Sequence, residues 1–216
     1  MNAVDVKELL RKLTPDKKKM DVLELGAGKI NRSHCKNLFH VCVDMSYDMS
    51  AALTHVTNWH SLGVERFGRT LLAKKDIFDF CDSYPYKFDL IIANRIFEHQ
   101  FYDSGSIGRL LAECHTLLKD KGKLFITVPN HYDLAHHIMI CEKSPSWIKN
   151  NNLNDILLTN TEFCNTKCDP HGSIWTPKLA KFYIESEGVW EIDKIYDSVN
   201  WEGRDCYMSV LCTKKS

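Results

Sequence analysis

The sequence predicts an α/β protein built on a doubly wound, mostly parallel seven-stranded sheet that ends in an antiparallel hairpin. Three observations point there. Short apolar runs recur along the chain with segments of helical spacing between them. The run within 88–93 is continuous rather than alternating, as in a strand covered on both faces. The last two runs, "WEIDKIYDSV" and "CYMSVLCTK", are joined by a connection too short for a parallel crossover.

Each element follows in order. Val4, Leu9, Leu10 and Leu13 share a helical face, so 4–13 is expected to be a short helix, ended by Thr14-Pro15-Asp16. "DVLEL" (21–25) reads as a buried strand and "HVCVD" (40–44) as the next. Residues 50–62 have helical spacing through Ala51, Leu53, Val56 and Trp59. A third strand is expected near 70–74 and a fourth at 88–93. Ile107, Leu110, Leu111, Cys114, Leu117 and Leu118 then form the clearest helical stripe, with Lys121-Gly122 as its stop. "KLFITVPN" is the fifth strand, ended by Pro129. Residues 131–175 are irregular and rich in His, Asn, Ser and Cys. A stretch this long inside a domain suggests a functional insertion, here a substrate lid. Thr176-Pro177 starts another helix, with Leu179, Phe182 and Tyr183 as its buried stripe and Gly188 as its stop. The hairpin closes the chain.

Composition narrows the function. The 216 residues suffice for one domain with a real core, with 1–19 as an N-terminal helix and linker. Twenty-eight basic and 28 acidic residues cancel, which gives no global electrostatic case for nucleic acid or an anionic membrane. No apolar run approaches membrane-spanning length. The nine cysteines are scattered and several sit in apolar runs, as small hydrophobes do. With no secretory leader pattern at the start, the expected setting is a reducing cytoplasm with mostly free thiols.

In a doubly wound sheet, ligands bind beyond the carboxyl ends of the strands. Polar clusters follow the first four strands in turn: Gly26-Ala27-Gly28, Asp44, Asp76-Ile77, and Asn94 with Glu98-His99. A dinucleotide fingerprint needs a third glycine where Asn31 stands, and no phosphate-binding Gly-x4-Gly-Lys-Ser/Thr loop occurs. The edge therefore suits a ligand that approaches the backbone closely but has no phosphates to hold.

At this point the chain resembles class I S-adenosylmethionine-dependent methyltransferases, which are Rossmann-like. "VLELGAGKI" is similar to their first motif: Glu24, Gly26 and Gly28 match, with Ala27 between, and Ile30 departs where a further glycine is common. Asp44, followed by Met45, matches the acid that holds the ribose hydroxyls, and Asp76-Ile77 the pair beside adenine. "FDLIIANRIFEH" resembles the fourth-strand motif, which brings in Asn94, and "LLKDKGKLFITVPN" the fifth. "HGSIWTPKLAKFYIESEG" resembles the late helix start. The resemblance spans about residues 20–212, with the middle of 131–170 unmatched. It implies S-adenosyl-L-methionine as cofactor, bound by Glu24, Gly26, Ala27, Gly28, Asp44, Met45, Asp76, Ile77 and Asn94.

Catalysis then needs positioning and, for some acceptors, a base. His99 and His131 are the candidates. Each reads equally as a packed histidine, and Glu24 equally as a structural acid. Cys164, Cys168 and His171 have metal-like spacing but no second pair, so no metal site is expected. No Asn/Asp-Pro-Pro-aromatic tetrapeptide stands at "NRIF" and no Pro-Cys pair occurs, which argues against nucleic-acid bases as acceptors. The expected acceptor is a small-molecule or glycan hydroxyl. A binding protein that keeps the fold without turnover is the alternative.

Overall fold

A computed structural model describes residues 4–15, 19–26, 39–44, 59–60, 64–67, 70–100, 105–130, 173, 175–201 and 204–215. In chain order the elements are β1 (Val4–Asp5), α1 (Val6–Leu13), β2 (Asp21–Leu25), β3 (Phe39–Val43), β4 (Trp59–His60), β5 (Val64–Phe67) and β6 (Thr70–Ala73). There follow α2 (Ile77–Ser83), β7 (Phe88–Asn94), a 3₁₀ turn (Phe97–His99), α3 (Ser106–Leu117), β8 (Leu118–Pro129), α4 (Pro177–Ser186), β9 (Trp190–Trp201) and β10 (Arg204–Lys214).

The described strands join one sheet in the order β1-β9-β10-β8-β7-β2-β3-β6-β5-β4. Its heart is the expected set of seven. β2 pairs in parallel with β3 on one side and β7 on the other; β3 continues to β6 and β7 to β8, all parallel. The long hairpin β9–β10 inserts β10 antiparallel against β8. The chain thus winds outward in both directions from β2, and the switch point lies between β2 and β7.

Alternation along the strands splits the interior into two layers. Leu23 and Leu25 of β2, Ile91 and Ala93 of β7, and Leu124, Ile126 and Val128 of β8 face the buried sides of α2, α3 and α4. Val22, Leu90, Ile92 and Phe125 face α1 through Val6, Leu9 and Leu10. Both faces are covered, which explains why the central strands read as continuous apolar runs. Cys81, Cys114 and Cys212 are buried free thiols within the first layer. Burial pushes Cys81 and Cys212 up to about 12 and raises Cys114 well above its ordinary value. No described helix is long and apolar enough to cross a membrane.

Several expectations change. The first helix begins at Val6 because the Asp5 carboxylate caps it, accepting from the Lys7 N–H at 2.8 Å, and Val4 joins the sheet edge beside Val199. The helix expected over 50–62 fails at its end, where Trp59 and His60 pair antiparallel with Glu65 and Val64; residues 50–58 lie outside the described residues. Trp59, the last residue of that spacing, pairs in a hairpin that extends the sheet edge. The α3 stripe ends at Leu117, and Lys121 turns the chain with φ 58° inside the strand segment, so Lys121-Gly122 shapes the entry to β8 instead of stopping a helix. In α4 the buried residues are Ala180, Tyr183 and Ile184. Phe182 is 52% exposed, against expectation, because it lies beside the buried stripe with its ring 6.0 Å from that of Tyr183. The Thr176 cap holds as expected: its hydroxyl accepts from the Leu179 N–H at 3.3 Å. Of the expected lid, 131–175, residues 131–172 and 174 lie outside the described residues, while Ser173 and Trp175 are buried.

Candidate functional site

The parallel ladder runs on past the strand ends and fixes the carboxyl edge. Gly26 N–H donates to Val43 O (2.9 Å), Asp44 N–H to Ala73 O (3.1 Å) and Arg95 N–H to Thr127 O (2.8 Å). The three loops after β2, β3 and β7 are thereby held to the sheet. Above them is a cavity of about 200 Å³ lined by Gly26, Asp44, Asp76, Ile77, Phe78, Ile96 and Gln100. Four of the residues expected to bind the cofactor therefore meet in one hollow beside the switch point.

Gly26 has φ 64°, a conformation that side chains disfavour. A Cβ there would overlap the end of the Ile96 side chain, which arrives from the loop after β7. The glycine thus serves the turn and lets β2 and β7 loops close together. Ile96 roofs it and forms part of the cavity wall.

Asp76 has a task that sequence reasoning missed. It is the N-cap of α2, its Oδ1 accepting from the N–H groups of Phe78 (2.8 Å) and Asp79 (3.4 Å). The cap orients the carboxylate at the cavity rim and does not use the Ile77 N–H. The cue was present: an Asp followed three residues on by another acid, then Phe80 and Cys81 at helical spacing. Phe78 is a second missed residue, with the Arg109 guanidinium 4.3 Å from its ring centroid.

Glu24 and Asn94 lie adjacent on β2 and β7, both buried. Asn94 Nδ2 approaches Glu24 Oε1 at 3.4 Å, and neither lines the described cavity. Ala27, Gly28 and Met45, each next in sequence to a lining residue or its neighbour, lie outside the described residues, as do His131, Cys164, Cys168 and His171. Among the described residues, no three His, Cys, Asp or Glu side chains gather as metal ligands do.

His99 ends the 3₁₀ turn, directly before the lining residue Gln100. Its Nε2 is 4.0 Å from Oε1 of Glu98, a carboxylate with no exposure, which also lies 4.0 Å from Arg95 Nε. Arg95 itself has φ 57°. The backbone here is bent sharply so that Ile96, Phe97, Glu98 and Gln100 can point to different surroundings.

Fold and edge together define a doubly wound α/β protein with a cavity at its switch point, and comparison with known proteins specifies the class. A family model described as a methyltransferase domain matches residues 3–174, so the chain belongs to that family. No curated protein is similar enough in sequence to match. Among solved structures, an S-adenosylmethionine-dependent methyltransferase from Methanosarcina mazei superposes with TM-score 0.63 at 13% identity, over 98% of this chain and 99% of that one. The N-methyltransferase NodS from Bradyrhizobium japonicum WM9 gives 0.59 at 12% identity, over 97% and 94%. The 1,6-didemethyltoxoflavin-N1-methyltransferase of Burkholderia thailandensis, solved with that compound and S-adenosylhomocysteine, gives 0.59 at 15% identity, over 97% and 76%. The family is that of the methyltransferase domain, and the fold is the one these S-adenosylmethionine-dependent methyltransferases share.

Proposed function

We propose that this protein transfers the methyl group of S-adenosylmethionine to a hydroxyl of a small molecule or glycan. The observation that carries the reading is the convergence of Gly26, Asp44, Asp76 and Ile77 on one cavity at the carboxyl edge. The residues fit the cofactor in chemical type. Asp44 accepts hydrogen bonds from the two ribose hydroxyls. Asp76, oriented by its cap, accepts from the adenine amino group, and the Ile77 N–H serves a ring nitrogen. Ile77, Phe78 and Ile96 give apolar walls to a flat base. Two carboxylates at the rim repel a phosphorylated nucleotide. Glu24 and Asn94, buried and 3.4 Å apart, together with Ala27, Gly28 and Met45 complete the cofactor set from the sequence.

The cofactor, when bound, supplies an activated methyl group on a sulfonium. The protein's share is alignment of the acceptor and removal of its proton. His99 is our candidate base among the described residues, with the buried Glu98 carboxylate beside it to balance a proton gained on the imidazole. His131 is the candidate from the sequence. The buried thiols fit a reducing compartment, the cytoplasm.

The test is ligand-dependent thermal stability of the purified protein with S-adenosylmethionine, S-adenosylhomocysteine, NADH and NADPH. A ligand of the native state at a hundred times its Kd stabilises by about 2.7 kcal/mol. Stabilisation by the two S-adenosyl compounds is expected; a response to NADH or NADPH alone overturns the reading. Release of S-adenosylhomocysteine across a panel of hydroxyl-bearing acceptors then separates an enzyme from a binding protein.

A further inference from the structure

We propose that Ser173 and Trp175, which do not line the cavity, are positioning residues for cofactor binding, because they clamp the turn that forms one cavity wall. The proposal rests on the reading that the S-adenosyl group occupies the cavity. Ile96 and Gln100 line it, and between them runs the three-residue turn Phe97–His99. Such a turn has little stability of its own. It starts from a left-handed Arg95 and is closed by two internal bonds, His99 N–H to Ile96 O and Gln100 N–H to Phe97 O, both 3.1 Å.

The clamp adds three bonds from the far end of the sequence. Ser173 N–H donates to Glu98 O at 3.1 Å. Ser173 Oγ donates to Phe97 O at 3.0 Å. Trp175 Nε1 donates to that same Oγ at 2.9 Å, which leaves the hydroxyl proton to point at Phe97. The bonds form a chain in which each member fixes the next, inside a region where Trp175 and Glu98 have no exposure and Ser173 has little. The Trp175 ring is wedged edge-on between Phe97, at 5.7 Å, and Tyr183 of α4, at 5.0 Å. The cavity wall is thus tied to α4 through two residues with no access to the ligand. A turn free to shift would move Ile96 off Gly26 and Gln100 off the rim.

The experiment measures S-adenosylhomocysteine affinity by calorimetry in the full chain, for the wild type, Ser173→Ala, Trp175→Phe and Val199→Ala. Trp175→Phe keeps a packed ring and removes the N–H. Val199→Ala loosens the opposite layer, remote from the turn. Ser173→Ala and Trp175→Phe are expected to weaken binding at least fivefold and to speed amide exchange at His99 and Gln100. Val199→Ala is expected to lower the melting temperature with affinity within twofold of wild type. Wild-type protein that fails to bind S-adenosylhomocysteine overturns the cofactor reading, not the clamp geometry. Wild-type binding with both clamp variants folded and within twofold of it overturns the clamp. So does an equal loss in Val199→Ala, since general loosening then explains the effect. If Ser173→Ala does not fold, Trp175→Phe decides alone.

Discussion

The amino and carboxyl edges of this sheet each present two aspartates beside a hollow, and they use them in opposite ways. At the amino edge, Lys119 Nζ lies 2.7 Å from Asp21 and 3.0 Å from Asp89, and the Asp21 N–H donates to Asp89 at 2.8 Å. The hollow there, about 310 Å³, is lined by Asp21, Tyr86, Lys87, Phe88 and Lys119, so the acids meet a cation of their own chain. At the carboxyl edge the hollow is smaller, yet Asp44 and Asp76 line it with apolar walls and a glycine turn. Size does not distinguish a binding site here. What differs is what the acids lie beside: a lysine ammonium at the amino edge, a glycine turn and apolar walls at the carboxyl edge.

The largest break in this comparison comes from Gly26. Gly26→Val forces a side chain into a left-handed conformation, at about 1–2 kcal/mol. It also collides with Ile96, and overpacking adds about 1–3 kcal/mol. Lower unfolding stability and loss of S-adenosylhomocysteine binding are expected. Adding Ile96→Ala should restore the steric part and leave the conformational part. Recovery of full stability would mean the turn does not depend on glycine at all.

Asp44→Ala comes next. Removing the proposed ribose acceptor should weaken S-adenosylhomocysteine by about 1–3 kcal/mol in calorimetry, with little change in unfolding temperature. An unchanged Kd would make the carboxyl edge as structural as the amino edge.

Asp76 separates its two tasks by two substitutions. Asp76→Ala removes the α2 cap and should cost about 1 kcal/mol of unfolding free energy. Asp76→Asn caps equally well, so its stability should match the wild type, while affinity for S-adenosylhomocysteine falls because the amide nitrogen cannot accept from adenine. If Asp76→Asn binds as tightly as wild type, the residue is a cap alone.

The sequence made the strand ends legible because a buried strand leaves a continuous apolar run, and the first polar residue after it marks the edge. Gly26 and Asp44 were readable in that way, and Asp76 as the acid a few residues past its strand. Ile96 and Gln100 were not, since a wall residue in a loop has no periodicity and acquires its role only when β7 lies beside β2. The α2 cap is hidden in the sequence because an acid just past a strand already has a reading as a ligand. The pairing of Trp59 and His60 with Glu65 and Val64 was hidden because Trp59 also closes a run at helical spacing. Ser173 and Trp175 were legible only as a helix approach; the bonds of Ser173 to Phe97 and Glu98 span more than seventy residues.

The smallest effect is expected at the amino edge, and it tests the comparison from the other side. Lys119 is 41% exposed, so its pairs are screened by water, and Lys119→Ala should cost no more than about 1 kcal/mol at pH 8. The hydrogen bond to Asp21, opposed by some burial and joined by Asp89, raises the Lys119 ammonium above its ordinary 10.5. A raised ammonium stabilises fully below the unfolded value and loses that share as pH rises through the folded one. The difference between wild type and Lys119→Ala in urea unfolding should therefore be present at pH 8 and vanish well above pH 10.5. Both proteins should also lose stability above pH 9, because Cys81 and Cys212, held up to about 12 by burial from 9.0, keep their protons in the folded chain while the unfolded chain releases them. S-adenosylhomocysteine affinity at pH 8 should be the same in both. A Kd that moves with Lys119 would show that the two edges communicate through β2 and β7, and the division between a paired edge and a binding edge would fail.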